Sequence, residues 1–311
     1  MQPSYDVLGF GCTAVDDLIY VEEYPPRDAK IPVRRRERQC GGLTATALVA
    51  AARLNARCAY AGTLGCDEFS AFAIECLHRE GICVKHLRQC PETSTIHSTI
   101  VVDQTHCTRN IFFDVSRALP PDAMWPPAEV ICSSRVLFVD QLQAEGMLRA
   151  ARIAREAGVD IVADFEVGGG ADFKELFALV DHLILSADFA QDWTGTADPR
   201  QAVQALWHSG RKTVVVTCGR DGCWYLSGES PGTLRHQTAF PVQEVDTTGC
   251  GDVFHGAYAA TLSRGWSVTQ RIEYAAAAAA LKAMNRGGQA GAPTHAAVTS
   301  FLEQRRAASG T

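Results

Sequence analysis

Val245-Asp246-Thr247-Thr248-Gly249-Cys250-Gly251-Asp252 leads out of an extended stretch into a helical pattern, with apolar positions at 253/254, 257/258 and 261/262 and a closing Gly265. Two glycines around one small residue let backbone N–H groups turn inward where that helix starts, near Asp252. Unpaired donors and the helix dipole both favour an anion there. A carboxylate in the first turn, Asp252, is close enough to take a proton from a hydroxyl attacking a phosphate bound at the turn. Phosphoryl transfer depends mainly on positioning and charge stabilisation, and one turn can supply both. The same spacing also suits a plain glycine turn with Asp252 as the helix N-cap, and spacing alone leaves both readings open.

Outward from this turn, short β-branched runs alternate with amphipathic stretches. Strands are predicted at 6–11, 58–64, 136–140, 160–164, 182–186, 212–217 and 222–226. Helices are predicted at 44–54, 67–80, 143–157, 172–180, 198–209 and 252–264. Ser267-x-x-Gln270 is a capping box that opens a further, alanine-rich helix to about residue 285. Such alternation, with continuously apolar strands, predicts an α/β fold with a mostly parallel sheet covered on both faces. Residues 17–39 and 95–115 break the rhythm and read as two polar hairpins, the second turning near Gln104. Neither can hold a core of its own, so both are expected to form a small β lid inserted in a single domain spanning 1–311.

Composition narrows the function classes. A length of 311 residues, 47% of them hydrophobic, allows a sizeable core. A formal net charge of -6 speaks against general nucleic-acid binding, and Arg34-Arg35-Arg36 reads as a solvated basic run. The twelve cysteines show no CxxC spacing, and several sit in apolar strand-like runs, which suggests buried thiols rather than a disulfide or zinc framework. With no basic, apolar leader and no run of membrane-spanning length, a cytoplasmic protein without membrane partners is expected. Gly9-Phe10-Gly11-Cys12-Thr13-Ala14 imitates a dinucleotide fingerprint, but the strand-like Asp17-Leu18-Ile19-Tyr20-Val21 follows where a helix would be needed. No GxxxxGK[ST] occurs. His97 and His255 lack spaced partners, so neither is expected to bind a metal.

Asp-Thr-Thr-Gly-Cys-Gly-Asp-Val-Phe resembles the DTxGAGDxF signature of the PfkB, or ribokinase-like, carbohydrate kinases. Three further stretches are similar to that family in the same order. They are Gly41-Gly42-Leu43-Thr44-Ala45-Thr46-Ala47 with Gly62-Thr63-Leu64-Gly65-Cys66-Asp67, Val214-Val215-Val216-Thr217-Cys218-Gly219-Arg220-Asp221-Gly222, and Gly287-Gly288-Gln289-Ala290-Gly291-Ala292-Pro293. The resemblance implies a three-layer α/β/α kinase using ATP and Mg²⁺ to phosphorylate a small sugar, with K⁺ as an activating ion. It implies Asp252 as catalytic base, with Gly249, Cys250 and Gly251 as anion hole. Asp16, at the end of the first strand, with Gly41, Gly42 and Thr46, would hold the sugar. Thr217, Gly219 and Gly222, together with Ser186, would line the nucleotide, and Asp246 and Thr248 would face the monovalent cation.

Departures from the pattern bear on these roles. Thr46 stands where the family has Asn, and Ser186-Ala187-Asp188-Phe189 replaces NxxE, leaving Asp188 as a displaced carboxylate for Mg²⁺. An Asn often found near the adenine is replaced within 275–280. Loss of NxxE is expected of the ketohexokinase-like branch, while Gly251-Asp252-Val253-Phe254-His255-Gly256-Ala257, Ala280-Leu281-Lys282 and Lys30 resemble the sulfofructose-kinase-like branch. Leu142 and Phe113 stand where that branch would place Arg and Asn near a sulfonate. Lys30 and Arg109 are lid cations able to reach a substrate. Tyr20, Phe112 and Phe113 could pack the sugar or a lid-to-lid homodimer. Cys250, at an electropositive helix start, is expected to carry a reactive thiol. A catalytically weakened sugar- or nucleotide-binding regulator and a nucleoside kinase are the alternatives.

Overall fold

The computed structural model describes residues 3–106, 108–118, 124–142 and 144–309. The chain opens with β1 (Tyr5–Phe10), β2 (Ala14–Val21), β3 (Arg35–Gly41), α1 (Leu43–Arg53), β4 (Cys58–Tyr60) and β5 (Thr63–Leu64). There follow α2 (Glu68–Arg79), β6 (Arg88–Gln89), β7 (Ile96–Asp103), β8 (Thr108–Asp114), α3 (Ala128–Ile131) and β9 (Ser134–Val139). Next come α4 (Ala144–Glu156), β10 (Asp160–Asp164), α5 (Gly170–Leu179), β11 (His182–Ser186), α6 (Ala187–Thr194) and α7 (Pro199–Leu206). The chain closes with β12 (Thr213–Thr217), β13 (Cys223–Ser227), β14 (Arg235–Gln237), α8 (Cys250–Leu262), α9 (Val268–Ala283) and α10 (His295–Ser309).

Among the described residues the main sheet runs β14-β13-β12-β11-β10-β9-β1-β4. It is parallel from β4 to β12, and β13 and β14 add antiparallel at one edge. Alternate residues of a strand point to opposite faces. Thus Val136, Phe138 and Val215 join one core with α1, α8, α9 and α10, while Leu137, Val139, Val214 and Val216 join the other with α4, α5, α6 and α7. Val214, Val215 and Val216 are fully buried, and each contributes roughly 1.5–3 kcal/mol on leaving water. Two-sided burial is why these strands carry continuous apolar runs.

A second sheet among the described residues, β3-β2-β7-β8, forms where the lid was expected. The two expected hairpins are present, but β2 also pairs in parallel with β7 over eight residues, Ala14 against Ile96 through Val21 against Asp103, fusing them into one sheet. β3 begins only at Arg35, so Lys30 lies in the exposed connection before it. Asp16 is the third residue of β2, in the lid sheet, and not at the end of β1. The predicted 58–64 strand is two, β4 in the main sheet and β5 paired with β6. Three helices were not predicted: α6, which follows β11 directly, the short α3 just before β9, and the closing α10. Gln143, the first residue of one predicted helix, lies outside the described residues. Ser267 and Gln270 form both halves of the capping box on α9. The cysteines among the described residues are all free thiols. No helix among them is long and apolar enough to cross a membrane.

Candidate active site

The α8 N-terminus is built by Gly249, whose φ of 77° suits glycine and which caps the helix. A Cβ there would sit 3.0 Å from the Cα of Gly288, so the turn is pressed against the closing loop. Asp252 is the third residue of α8 and does not cap it, which removes the plain N-cap reading. Its carboxyl group hydrogen-bonds that of Asp164, at the carboxyl end of β10. Such a contact requires a proton between the two groups. Burial, then the charges of Asp164 and Glu166, push the Asp252 carboxyl well above the ordinary carboxylate range. His255 braces this pair: Nδ1 lies 2.8 Å from Gly251 O and 3.3 Å from Asp164 Oδ2, and Nε2 lies 3.0 Å from Ile184 O. One ring thereby ties the first turn of α8 to the end of β10 and the middle of β11.

A second group of residues gathers at the α1 N-terminus. Gly42 caps α1 at φ 91°, where a Cβ would strike Cys12 O at 2.8 Å. A Cβ on Gly41 would sit 2.3 Å from Asp16 Oδ2, so only glycine leaves that carboxylate its place. Burial raises the Asp16 pKa. Thr46 is buried, and Gln289 Nε2 reaches both its Oγ1 (3.4 Å) and Gly41 O (3.5 Å). The buried Asp140, at the end of β9, accepts from Cys12 N (2.6 Å), Thr44 Oγ1 (2.8 Å) and Leu142 N (2.8 Å). It ties the β1–β2 connection and the first turn of α1 to the segment after β9. At the lid base Arg38 grips Asp17 with two hydrogen bonds of 2.7 and 2.8 Å, and His97 adds a third. These contacts hold the Asp17 pKa down at about 2.

A cleft of about 950 Å³ opens beside the α8 turn, and Cys250 and Gly251 share its walls with Thr217, Gly219 and Gly222. Phe254, Ala276, Ala279 and Ala280 supply an apolar side large enough for a purine ring. The expected phosphate turn and nucleotide strand therefore meet in one cavity. Ser186 does not join them: its hydroxyl caps α6, accepting from Phe189 N at 3.2 Å, and it is not a wall of that cleft. Burial pushes the Cys250 thiol up to about 11, contrary to the activation expected from its place at a helix start.

The cation position holds a further correction. Asp246 Oδ1 accepts from Thr248 N (2.9 Å), Oδ2 accepts from Gly287 N (2.8 Å), and its carbonyl oxygen accepts from Lys282 Nζ (2.9 Å). The ligand expected to face K⁺ already faces an ammonium, and the residues present do not fit a metal ion there.

Of the lid cations, Arg109 stands on exposed β8, and its charge reaches Lys282. Lys30 makes no contact with either group of site residues. Asp140, Asp164 and the bracing roles of His255, Gln289 and Lys282 went unseen in the sequence, Lys282 standing there only within a family-like stretch. A signal existed for two of them, since a carboxylate closing a parallel strand points at the edge where such folds bind ligands.

Residues 8–295 match the model of the pfkB family of carbohydrate kinases. The chain is 28% identical to a ribokinase of Haemophilus influenzae over 85% of its own length and 87% of that protein. It is 27% identical to a fructokinase of Vibrio alginolyticus, covering 85% of this chain and 92% of the other. Its fold superposes on that of Arabidopsis thaliana ribokinase complexed with ribose and ATP, with a TM-score of 0.86 at 22% identity, over 97% and 99% of the two chains.

Proposed function

The chain belongs to the pfkB family of carbohydrate kinases, and from that premise we propose that it transfers the γ-phosphoryl group of ATP to a hydroxyl of a small sugar, a ketose or related carbohydrate. The observation that carries this reading is the shared wall of the 950 Å³ cleft. The turn whose Cys250 and Gly251 line that cleft carries, one residue on, a half-buried carboxylate paired with Asp164.

In this reading Asp252 takes the proton of the attacking hydroxyl, and the single proton it shared with Asp164 passes to that partner. The new sugar O–P bond forms as the bridging P–O bond to ADP breaks. Residues 249–251 stabilise the charge on the transferring group. Thr217, Gly219 and Gly222 seat the nucleotide. Asp16, Gly41, Gly42 and Thr46 orient the sugar, and Lys30 and Arg109 close over it from the lid. When bound, Mg²⁺ would supply charge neutralisation for the phosphates, and one or two protein carboxylates would be enough to hold it. Glu166 and Asp188, both exposed just after parallel strands, are in place to supply them. Use of ATP goes with a cytoplasmic setting. Ile111, Phe112 and Phe113, exposed on the outer lid strand β8, would pair two lids in a homodimer.

The test is ADP release with Mg-ATP across ketoses, aldoses, sugar acids and nucleosides, run beside Asp252→Asn. Turnover with a sugar is expected, and the variant should fall at least ~10²-fold while keeping its circular dichroism and ATP binding. Silence across the panel, or an Asn variant close to wild type, would overturn the reading.

A further inference from the structure

Lys282 is fully buried in the last turn of α9, although it is a lysine. Its ammonium donates to Asp246 O at 2.9 Å and to Asn285 O at 3.0 Å. Those two carbonyls belong to the segment that enters the 249–251 turn and to the loop that leaves α9. The segments are further laced by Val245 N and Asp246 N to Ala283 O (2.7 and 3.1 Å) and by Gly287 N to the Asp246 carboxylate. Gly288 then packs on Gly249. A Cβ on Gly291 would lie 2.8 Å from Lys282 Cδ, so glycine there leaves room for the lysine stem.

Burying an ammonium is costly unless its donors are met, and burial lowers the Lys282 pKa from its usual value. The charges of Cys250, Asp246 and Asp252 oppose that fall, while Arg109 adds to it. The carbonyl end of α9 also favours a cation. The surroundings are thus those of a monovalent cation site: carbonyl oxygens and a nearby carboxylate, behind a phosphate-binding turn.

We propose that the Lys282 ammonium permanently occupies the place of an activating monovalent metal ion. It bridges the 245–248 segment to the 285–288 loop, so the anion hole is set without K⁺. The inference rests on the kinase reading of that turn and adds a positioning residue to it. A tethered ammonium carries the same single charge as K⁺, donates to the carbonyl oxygens such an ion would bind and cannot dissociate.

The test compares wild type and Lys282→Ala in KCl, NaCl and tetramethylammonium chloride at matched ionic strength, reading turnover, Mg-ATP affinity and melting temperature. Wild type should be indifferent to the cation in all three. Lys282→Ala should lose roughly 10²-fold in turnover in tetramethylammonium, the size expected when a reacting group is misplaced by about an ångström. KCl should restore much of that loss and raise the variant's melting temperature, while the bulkier ion should not. Lys282→Met, which keeps the stem without the charge, should be impaired and deaf to K⁺, and it stands in if the alanine variant does not fold. Clear K⁺ activation of wild type, full activity of either variant in tetramethylammonium, or a folded alanine variant indifferent to K⁺ would each overturn the proposal. If no sugar is turned over, the kinase reading falls by itself, and nucleotide affinity and melting still decide the role of Lys282.

Discussion

Gly256→Ala should cost stability and activity together, although alanine is the better helix former. Gly256 lies one turn after Asp252 on α8 and faces α1, where a Cβ would stand 2.1 Å from Ala47 O and 2.9 Å from Ala50 Cβ. Ordinary contact begins near 3.4 Å. The obstacle is backbone, so no rotamer relieves it, and the two helices must part by about an ångström. Helix propensity favours alanine by roughly 1 kcal/mol, while overpacking costs about 1–3 kcal/mol, with the upper end apt for a backbone clash. The clash wins, for a net loss of about 2 kcal/mol, or roughly 4–8 °C in melting temperature for a domain approaching this size. Ala47 adjoins Thr46, so the same movement carries Asp252 away from the sugar side and should lower kcat up to ~10²-fold. Urea unfolding would read the first effect and steady-state kinetics with saturating sugar the second. A midpoint equal to or above wild type would refute the packing argument, since propensity alone predicts that outcome.

Asp252 must be ionised to accept a proton, and its pKa is raised. The acid limb of kcat/KM should therefore lie above the ordinary carboxylate range, with activity rising as pH rises. The groups felt at Asp252 are Asp164 at the end of β10, Glu166 after it, Asp140 just after β9 and Lys282 on α9, with His255 bracing Asp164. Asp164→Asn removes the nearest like charge and should move that limb to lower pH, whereas an unmoved limb would mean that Asp164 only fills space. Because ionising a group with a raised folded pKa disfavours the native state, the stability contributed by the protonated pair should decline as pH rises through that pKa. With its thiol held near 11 by burial, Cys250 should resist iodoacetamide at neutral pH while the exposed Cys66 and Cys132 label first. Peptide mapping that finds Cys250 labelled first would contradict the burial argument.

Local chemistry wrote much of this fold into the sequence. β10 and β11 fall on their predicted residues because each is a short apolar run bounded by polar residues, and such a run fits only a strand buried on both faces. The α9 capping box is legible for the same reason, its partners being three residues apart. The turn at 249–251 was likewise readable, since glycine spacing and a following helix are local facts. Edge strands β6 and β14, two and three residues long, are too short to show a period, and α6 hides behind the strand it follows. What tertiary structure alone decided was the company each charged group keeps. Asp164 and Asp252 meet because β10 and α8 end at one edge of the sheet. Lys282 reads as an ordinary polar position in an alanine-rich helix until the 245–248 and 285–288 segments close around it. Distance along the chain hides such contacts, because a side chain's proton affinity and partners are set by the dielectric and charges around it in space, and those exist only once the layers have packed.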